Sequence, residues 1–328
     1  MMKDIINSLP EQIESALNLV PKFSSRRKFN RILICGMGGS GISGEICAGL
    51  FPKLPIIPNK DYPIPDYVDK KTLVILISYS GNTEETLNNF KIISNKECEQ
   101  VIISSNGKLL QARSQYKIKI PQGLPPRGAL GYLFTPLPLL LYNFGLLKKS
   151  PLPALRHLVK FLKNRRRMLE KKARMIAPGL KNRIPIIYAN SKLFFSVANR
   201  WRCQFNENTK ILSHINIIPE MNHNEIVGFG RPVDINRYLF IILLNDPGAH
   251  PRNRLRMKII KEIIKPVIGH YIEIKPQGKN SLEQSFETIM LGDFLSYYLA
   301  QITGVDPMPV KRIDYLKRRL VEYKKDPD

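Results

Sequence analysis

The chain is short of the residues that most often announce a metal or disulfide protein. Its 328 residues include four cysteines, Cys35, Cys47, Cys98 and Cys203, and five histidines. No cysteines stand in a CxxC spacing, and no histidines in an HxxxH or HExxH pattern. In a chain this long a disulfide framework is not expected, and a zinc knuckle lacks its ligand set. The thiols therefore read as reduced, as in a cytoplasmic protein, and no metal site is expected. Long apolar runs are missing as well. The longest, such as Tyr238 to Leu244, have strand length, short of the ~18 residues that cross a bilayer. The opening MMKDIINSLPEQIES carries acids and no continuous apolar stretch, so it reads as a short amphipathic helix and not as a signal peptide. Acids are scarce throughout: 27 Asp and Glu against 51 Lys and Arg leave a net charge of +24. Charge bears on partners and not on fold. It suits nucleic acid or an anionic surface, an anionic substrate, or simply a basic proteome. No nucleic-acid motif accompanies it, so a nucleic-acid partner is not expected.

The residues that are present alternate between two patterns. Buried-strand runs stand at RILIC (31–35), KTLVILIS (71–78) and EQVIISS (99–105), the first two followed by a helical pattern. Strands alternating with helices imply parallel pairing and right-handed crossovers. Continuous apolar strands suit a sheet covered on both faces. From Pro121 to Pro138 the chain reads as loop, then as a helix from about Pro138 to Leu147. KKSPLP follows as a boundary. A chain of this length favours two cores, which places one α/β domain over 1–150 and a second over 151–328. The second opens with a long helix whose apolar positions Leu155, Leu158, Val159, Leu162, Leu169, Ala173 and Ile176 keep helical spacing. Nine Lys or Arg and one acid, Glu170, occupy the rest of it. It reads as a solvated linker helix, or as an anion-binding or membrane-surface face. The second half then repeats the first in outline, with strand-like runs at RIPIIYA, SHINII, RYLFIILL and YIEI. A long helix follows, capped by Ser281, and a last one started by Pro309.

Two turns carry chemistry. Gly36-Met37-Gly38-Gly39-Ser40-Gly41 satisfies GxGxxG between a strand and a helix. A dinucleotide site also wants an acid at the end of the next strand. That strand ends Pro58-Asn59-Lys60, with no acid before Asp61, which argues against NAD. A serine at a helix N-terminus beside glycine is instead a natural phosphate ligand. The second turn, Ser78-Tyr79-Ser80-Gly81-Asn82-Thr83, crowds three hydroxyls where Gly81 lets amides converge. Thr83 as a plain helix cap, with Thr86 facing solvent, is the bland alternative. Two such turns after neighbouring parallel strands make a cradle for one phosphate monoester, with Gly39, Ser40, Ser78, Ser80 and Thr83 as its ligands. No lysine of P-loop type is present, which disfavours a triphosphate with magnesium.

GMGGSG followed by SYSGNTEET resembles the sugar isomerase (SIS) domain. Asn206-Glu207-Asn208-Thr209-Lys210, Met221-Asn222-His223-Asn224-Glu225, Pro125-Pro126-Arg127-Gly128 and the terminal Ile313-Asp314-Tyr315-Leu316-Lys317 narrow this to the bifunctional phosphoglucose/phosphomannose isomerase family. The glycine and serine motifs mark only the wider superfamily; the Asn-Glu-Asn-Thr-Lys and Met-Asn-His-Asn-Glu pair is more specific. The basic balance exceeds what the family leads one to expect. Pro307-Met308-Pro309 departs at the approach to the last helix, which bears on Lys317 and leaves Lys311 as the fallback. The resemblance implies two SIS-type subdomains, each a parallel sheet flanked by helices in a doubly wound, flavodoxin-like αβα sandwich. It implies aldose–ketose isomerisation of glucose 6-phosphate and mannose 6-phosphate to fructose 6-phosphate, without metal or redox cofactor. Glu207 suits the base, because partial burial raises a carboxyl toward working pH. Arg127 suits a permanent cation for the enediolate. The family assigns ring opening to His223, donated by the neighbouring subunit of a homodimer, and a part in it to Lys317. The rival reading is a SIS-type sugar-phosphate sensor, which would keep the cradle and dispense with Glu207. Barely thirty residues precede the first strand, too few for the helix-turn-helix domain such regulators carry. An amidotransferase synthase would need a glutaminase half that this sequence does not show.

Overall fold

The computed structural model describes residues 1–23, 25 and 27–323. Helices α1 (Met2–Asn7) and α2 (Leu9–Ala16) precede a first lobe of β1 (Arg31–Cys35), α3 (Gly38–Leu50), β2 (Ile56–Asn59), β3 (Thr72–Ser78), α4 (Glu84–Ile93), β4 (Glu99–Ser104), α5 (Gly107–Gln111) and β5 (Tyr116–Lys119). Its sheet is parallel, in the order β2-β1-β3-β4-β5, the flavodoxin-like order expected. After α6 (Leu130–Phe134), α7 (Pro136–Asn143) and the long α8 (Leu152–Leu180) comes a second lobe. It contains β6 (Ile184–Ala189), α9 (Lys192–Gln204), β7 (His214–Ile217), β8 (Leu239–Leu244), α10 (Pro251–Ile264) and β9 (Tyr271–Ile274). That sheet is also parallel, β7-β6-β8-β9, the same winding short of one edge strand. Helices α11 (Ser281–Ile302) and α12 (Lys311–Tyr323) close the chain.

The strands form where the sequence is apolar without interruption, and period two sends alternate side chains to opposite faces. Ile32, Ile34, Ile75, Ile77 and Ile103 point into a core that runs on through Phe134, Leu162, Trp201 and Phe286 to Ile242 of the second sheet. Leu33, Val74, Leu76 and Ile102 point the other way, into a cluster closed by α4. Tyr188, Ile241 and Leu243 do the same against α10. So the two expected cores are one shared core with an outer satellite on each sheet. The reason is packing between lobes: α3 lies on α9, and α8 lies on both α2 and α11. Trp201 is fully buried at this seam; a Cβ on Gly292 would stand 2.2 Å from its ring.

Several local readings are corrected. Residues 121–138 are not all loop, since α6 and α7 occupy most of the span after Ala129. The edge strand β5, with its Tyr-Lys-Ile-Lys alternation, was not expected. Asn280, not Ser281, caps α11, accepting from the Glu283 amide at 3.0 Å. The last helix starts at Lys311, two residues past Pro309. The basic helix α8 runs on to Leu180 and is not a free linker: Leu155, Leu158, Leu162, Leu169 and Ala173 are buried along one face.

Candidate active site

The two hydroxyl-rich turns lie side by side because β1 and β3 are neighbours in register, Cys35 opposite Leu76. Ser40 is buried in the first turn of α3, and its Oγ accepts the Tyr79 amide at 3.3 Å. One turn is thereby tied to the other. Ser78 and Thr83 share a hydrogen bond of 2.8 Å between their hydroxyls, and Ser78 Oγ also accepts the Gly81 amide at 3.0 Å. Ser80 is exposed and accepts the Asn82 amide at 3.3 Å. Gly81 sits at φ 69°, and a Cβ there would fall 1.6 Å from the Asn106 carbonyl oxygen. Only glycine fits. Thr83 precedes α4, but its side chain makes no capping bond. Neither does any side chain cap α3. Two helix starts are thus uncapped by side chains where the hydroxyls converge, an arrangement suited to an anion.

The alternative in which Thr86 faces solvent is excluded. It is 1% exposed, and its hydroxyl finds no partner among the described residues. It stands one helical turn after Thr83, the spacing that keeps it on the same face of α4. That spacing was visible in the sequence.

Arg127 joins the cradle to the second lobe. It lies in the one-turn helix Pro126–Gly128. Gly39 makes the approach possible, since a Cβ there would stand 2.8 Å from the Pro126 carbonyl oxygen. The arginine is 5% exposed, and its guanidinium is held on three sides. Nε donates to Asn208 Oδ1 at 2.8 Å, and Nη2 to the carbonyls of Pro307 and Met308 at 2.6 and 2.9 Å. The proline-rich approach to α12 thus ends on the arginine. Nη1 reaches Glu207 Oε2 at 3.6 Å.

Glu207 lies on an extension of α9. Residues Phe205–Thr209 continue α9 as a π turn that ends at Lys210 in the left-handed region. Such widened turns often occur at functional sites. The Lys210 ammonium closes this one, donating to the Glu207 carbonyl at 2.8 Å and the Asp306 carbonyl at 2.7 Å. The Glu207 side chain is 25% exposed. Burial pushes its carboxyl above the usual carboxylate range, against the pull of Arg127, Arg200, Lys210 and Lys317. A carboxylate of raised basicity beside a fixed guanidinium can move a proton while a cation steadies the charge that develops.

Lys317 lies on the exposed α12 and is among the charges that favour ionised Glu207. His223 is exposed in the short helix Glu220–His223 after β7, and no hydrogen bond or ion pair joins it to Arg127 or Glu207 within the chain. The cysteines Cys35, Cys47 and Cys98 are buried, and burial pushes the Cys35 thiol up to about 12. No group of three or more His, Cys, Asp or Glu among the described residues is placed to hold a metal ion, and no described helix is long and apolar enough to cross a membrane.

Residues 169–320 match the family described as bacterial phospho-glucose isomerase C-terminal SIS domain. The chain is 38% identical over 339 residues to the bifunctional phosphoglucose/phosphomannose isomerase of Caldicellulosiruptor bescii, covering 98% of this chain and 100% of that one. It is 34% identical over 302 residues to the protein of the same name from Aquifex aeolicus, covering 90% and 92%. Among solved structures, the tagatose-6-phosphate ketose/aldose isomerase of Escherichia coli superposes with a TM-score of 0.72 over 94% of this chain and 95% of that one. At 15% identity it speaks for the fold alone.

Proposed function

The chain belongs to the bifunctional phosphoglucose/phosphomannose isomerase family, and we propose that it interconverts glucose 6-phosphate and mannose 6-phosphate with fructose 6-phosphate. The observation that carries the reading is Arg127, wedged against Gly39 of the cradle on one side and 3.6 Å from Glu207 on the other. The cradle of Ser40, Ser78, Ser80 and Thr83 anchors the phosphate dianion. Binding energy remote from the reacting carbons then becomes positioning. Glu207 takes the C2 proton of the open-chain aldose and returns it to C1, while a proton passes from O2 to O1. The intermediate is a cis-enediol(ate), whose charge Arg127 steadies. Glucose and mannose 6-phosphate differ only at C2. That carbon is planar in the enediol, and a turn about the C2–C3 bond presents either face of it to the same base.

His223 and Lys317 are assigned to ring opening. The exposure of His223, apart from Glu207 in its own chain, supports its donation across a homodimer. The amphipathic α12, with Ile313, Leu316 and Leu320 exposed, offers an apolar face for a second copy. The buried thiols accord with a reducing, cytoplasmic setting.

A coupled assay with each aldose 6-phosphate tests the reading. Glu207→Gln should lower kcat by about 10²- to 10⁴-fold, while calorimetry still detects sugar-phosphate binding. Wild-type rates in that variant would remove the base assignment.

A further inference from the structure

Beneath Arg127 lies a second buried arginine that the isomerisation as derived does not use. Arg200 of α9 is 3% exposed and Asp293 of α11 is equally hidden. They meet as a fork, Nε to Oδ1 at 3.0 Å and Nη2 to Oδ2 at 2.6 Å. Gln204 adds a donor to Asp293 Oδ1 at 2.8 Å. The same Nη2 of Arg200 also donates to the backbone carbonyl of Arg127 at 3.1 Å. One guanidinium therefore ties α9, α11 and the Pro126–Gly128 turn together.

We infer that Arg200 and Asp293 are a positioning pair for the proposed isomerase site, fixing the Arg127 turn and setting the electric field at Glu207. The inference rests on the proposed function. Stability is a poor account of the pair, because a buried ion pair replaced by apolar groups of like volume is often neutral or stabilising. Its geometry is better explained by what it holds. The Arg127 side chain is fixed by Asn208, Pro307 and Met308, but its backbone takes a side-chain donor from Arg200. Asn208 in turn is held by Ser296, one turn along α11 from Asp293, at 2.9 Å. The π turn bearing Glu207 and the turn bearing Arg127 thus share one helix as their footing. The charges that face Glu207 come from several elements: Arg127, Arg200, Lys210 and Lys317, with the Cys203 thiol nearby. Of these, Arg200 carries a buried counter-charge on a third element, so its field depends on Asp293.

Three variants separate positioning from plain structure. Arg200→Met removes a charge that favours ionised Glu207, so the acid limb of kcat/KM should move to higher pH. Asp293→Asn leaves Arg200 less compensated, so the limb should move to lower pH. A merely structural role would move both the same way or neither, and either result overturns the inference. The double variant Arg200→Met/Asp293→Leu leaves no unpaired charge and guards against misfolding of the single ones. It should melt near the wild type yet lose about 10- to 100-fold in kcat, with KM changed less than about threefold. Wild-type kcat in the folded double variant also overturns the inference. If the wild type shows no isomerase activity, the proposed function fails. Carbon-13 NMR titration of the Glu207 carboxyl, assigned by its loss in Glu207→Gln, still decides the pair by the same opposed shifts.

Discussion

At the carboxyl end of the first sheet, the segment after β1 holds Ser40, and the end of β3 with the turn after it holds Ser78, Ser80 and Thr83; the matching turns of the second sheet hold Asn190 with Ser191, and Asn245 with Asp246. The winding is the same and the chemistry opposite. Ser191 caps α9, accepting the Phe194 amide at 3.1 Å, whereas neither α3 nor α4 has a side-chain cap. Asn190 Nδ2 donates to Asn245 Oδ1 at 2.9 Å, and Asn190 Oδ1 accepts the Asp246 amide at 2.8 Å. Asp246 Oδ1 accepts the Gly248 amide at 2.8 Å. The second pair of turns satisfies itself and buries a carboxylate, Asp246. The first leaves helix starts without side-chain caps, and the Thr86 hydroxyl of α4 has no partner among the described residues. A fold places the turns, and the satisfaction of their polar groups decides which pair is open to an anion. The second lobe contributes instead through the far end of α9, where the π turn presents Glu207 to the first lobe's arginine.

The largest effect on this contrast should come from the contact that brings the lobes together. Gly39→Val puts side-chain atoms where even a Cβ would lie 2.8 Å from the Pro126 carbonyl oxygen. The Arg127 turn must shift, and a misplacement of about 1 Å costs about 100-fold in kcat/KM. Steady-state kinetics on glucose 6-phosphate would show it, and unchanged kinetics would detach Arg127 from the cradle. Paired serine deletions sharpen the comparison. Ser78→Ala should raise KM for the sugar phosphate about tenfold, the loss of one bond to a dianion. Ser191→Ala should leave KM alone and cost about 1 kcal/mol of stability as a lost cap. A KM effect from Ser191→Ala would mean that both pairs of turns serve the substrate.

The open pair of turns was legible in the sequence because glycine and hydroxyl runs after apolar strands have few other uses. β1, β3 and β8 were legible for a related reason, since unbroken apolar runs such as Leu239–Leu244 fit only a doubly covered sheet. β5 was hidden because lysines break its pattern at an edge, where burial is one-sided. The π turn was hidden because Phe205–Thr209 carries no propensity that separates it from ordinary helix. Arg200 and Asp293 are 93 residues apart, and each alone reads as one more charge on a helix. Only the packing of α9 on α11 makes them a pair. The shared core escaped for the same reason: Trp201 and Gly292 carry no local sign that one is shaped to the other.

The smallest expected effect is on stability, and it bears on whether the second lobe holds Glu207 at a cost. Its carboxyl lies above the usual carboxylate range because burial disfavours the charged form. The folded state therefore binds that proton more tightly than the unfolded chain. The stability this contributes is present in full below the unfolded-state value and is lost as pH rises through the folded-state value. At neutral pH the ionised Glu207 is a local burden, relieved in part by Arg127, Arg200, Lys210 and Lys317. Glu207→Gln removes the charge and keeps the shape, so it should raise the melting temperature at pH 7 by more than it does at pH 4. Serine 191, which only caps a helix, should show no such pH dependence when replaced. A Glu207→Gln variant that melts lower at pH 7 than the wild type would mean that the surrounding cations outweigh burial. Glu207 would then be held by its ion pairs, like an ordinary structural acid, and not poised as a base.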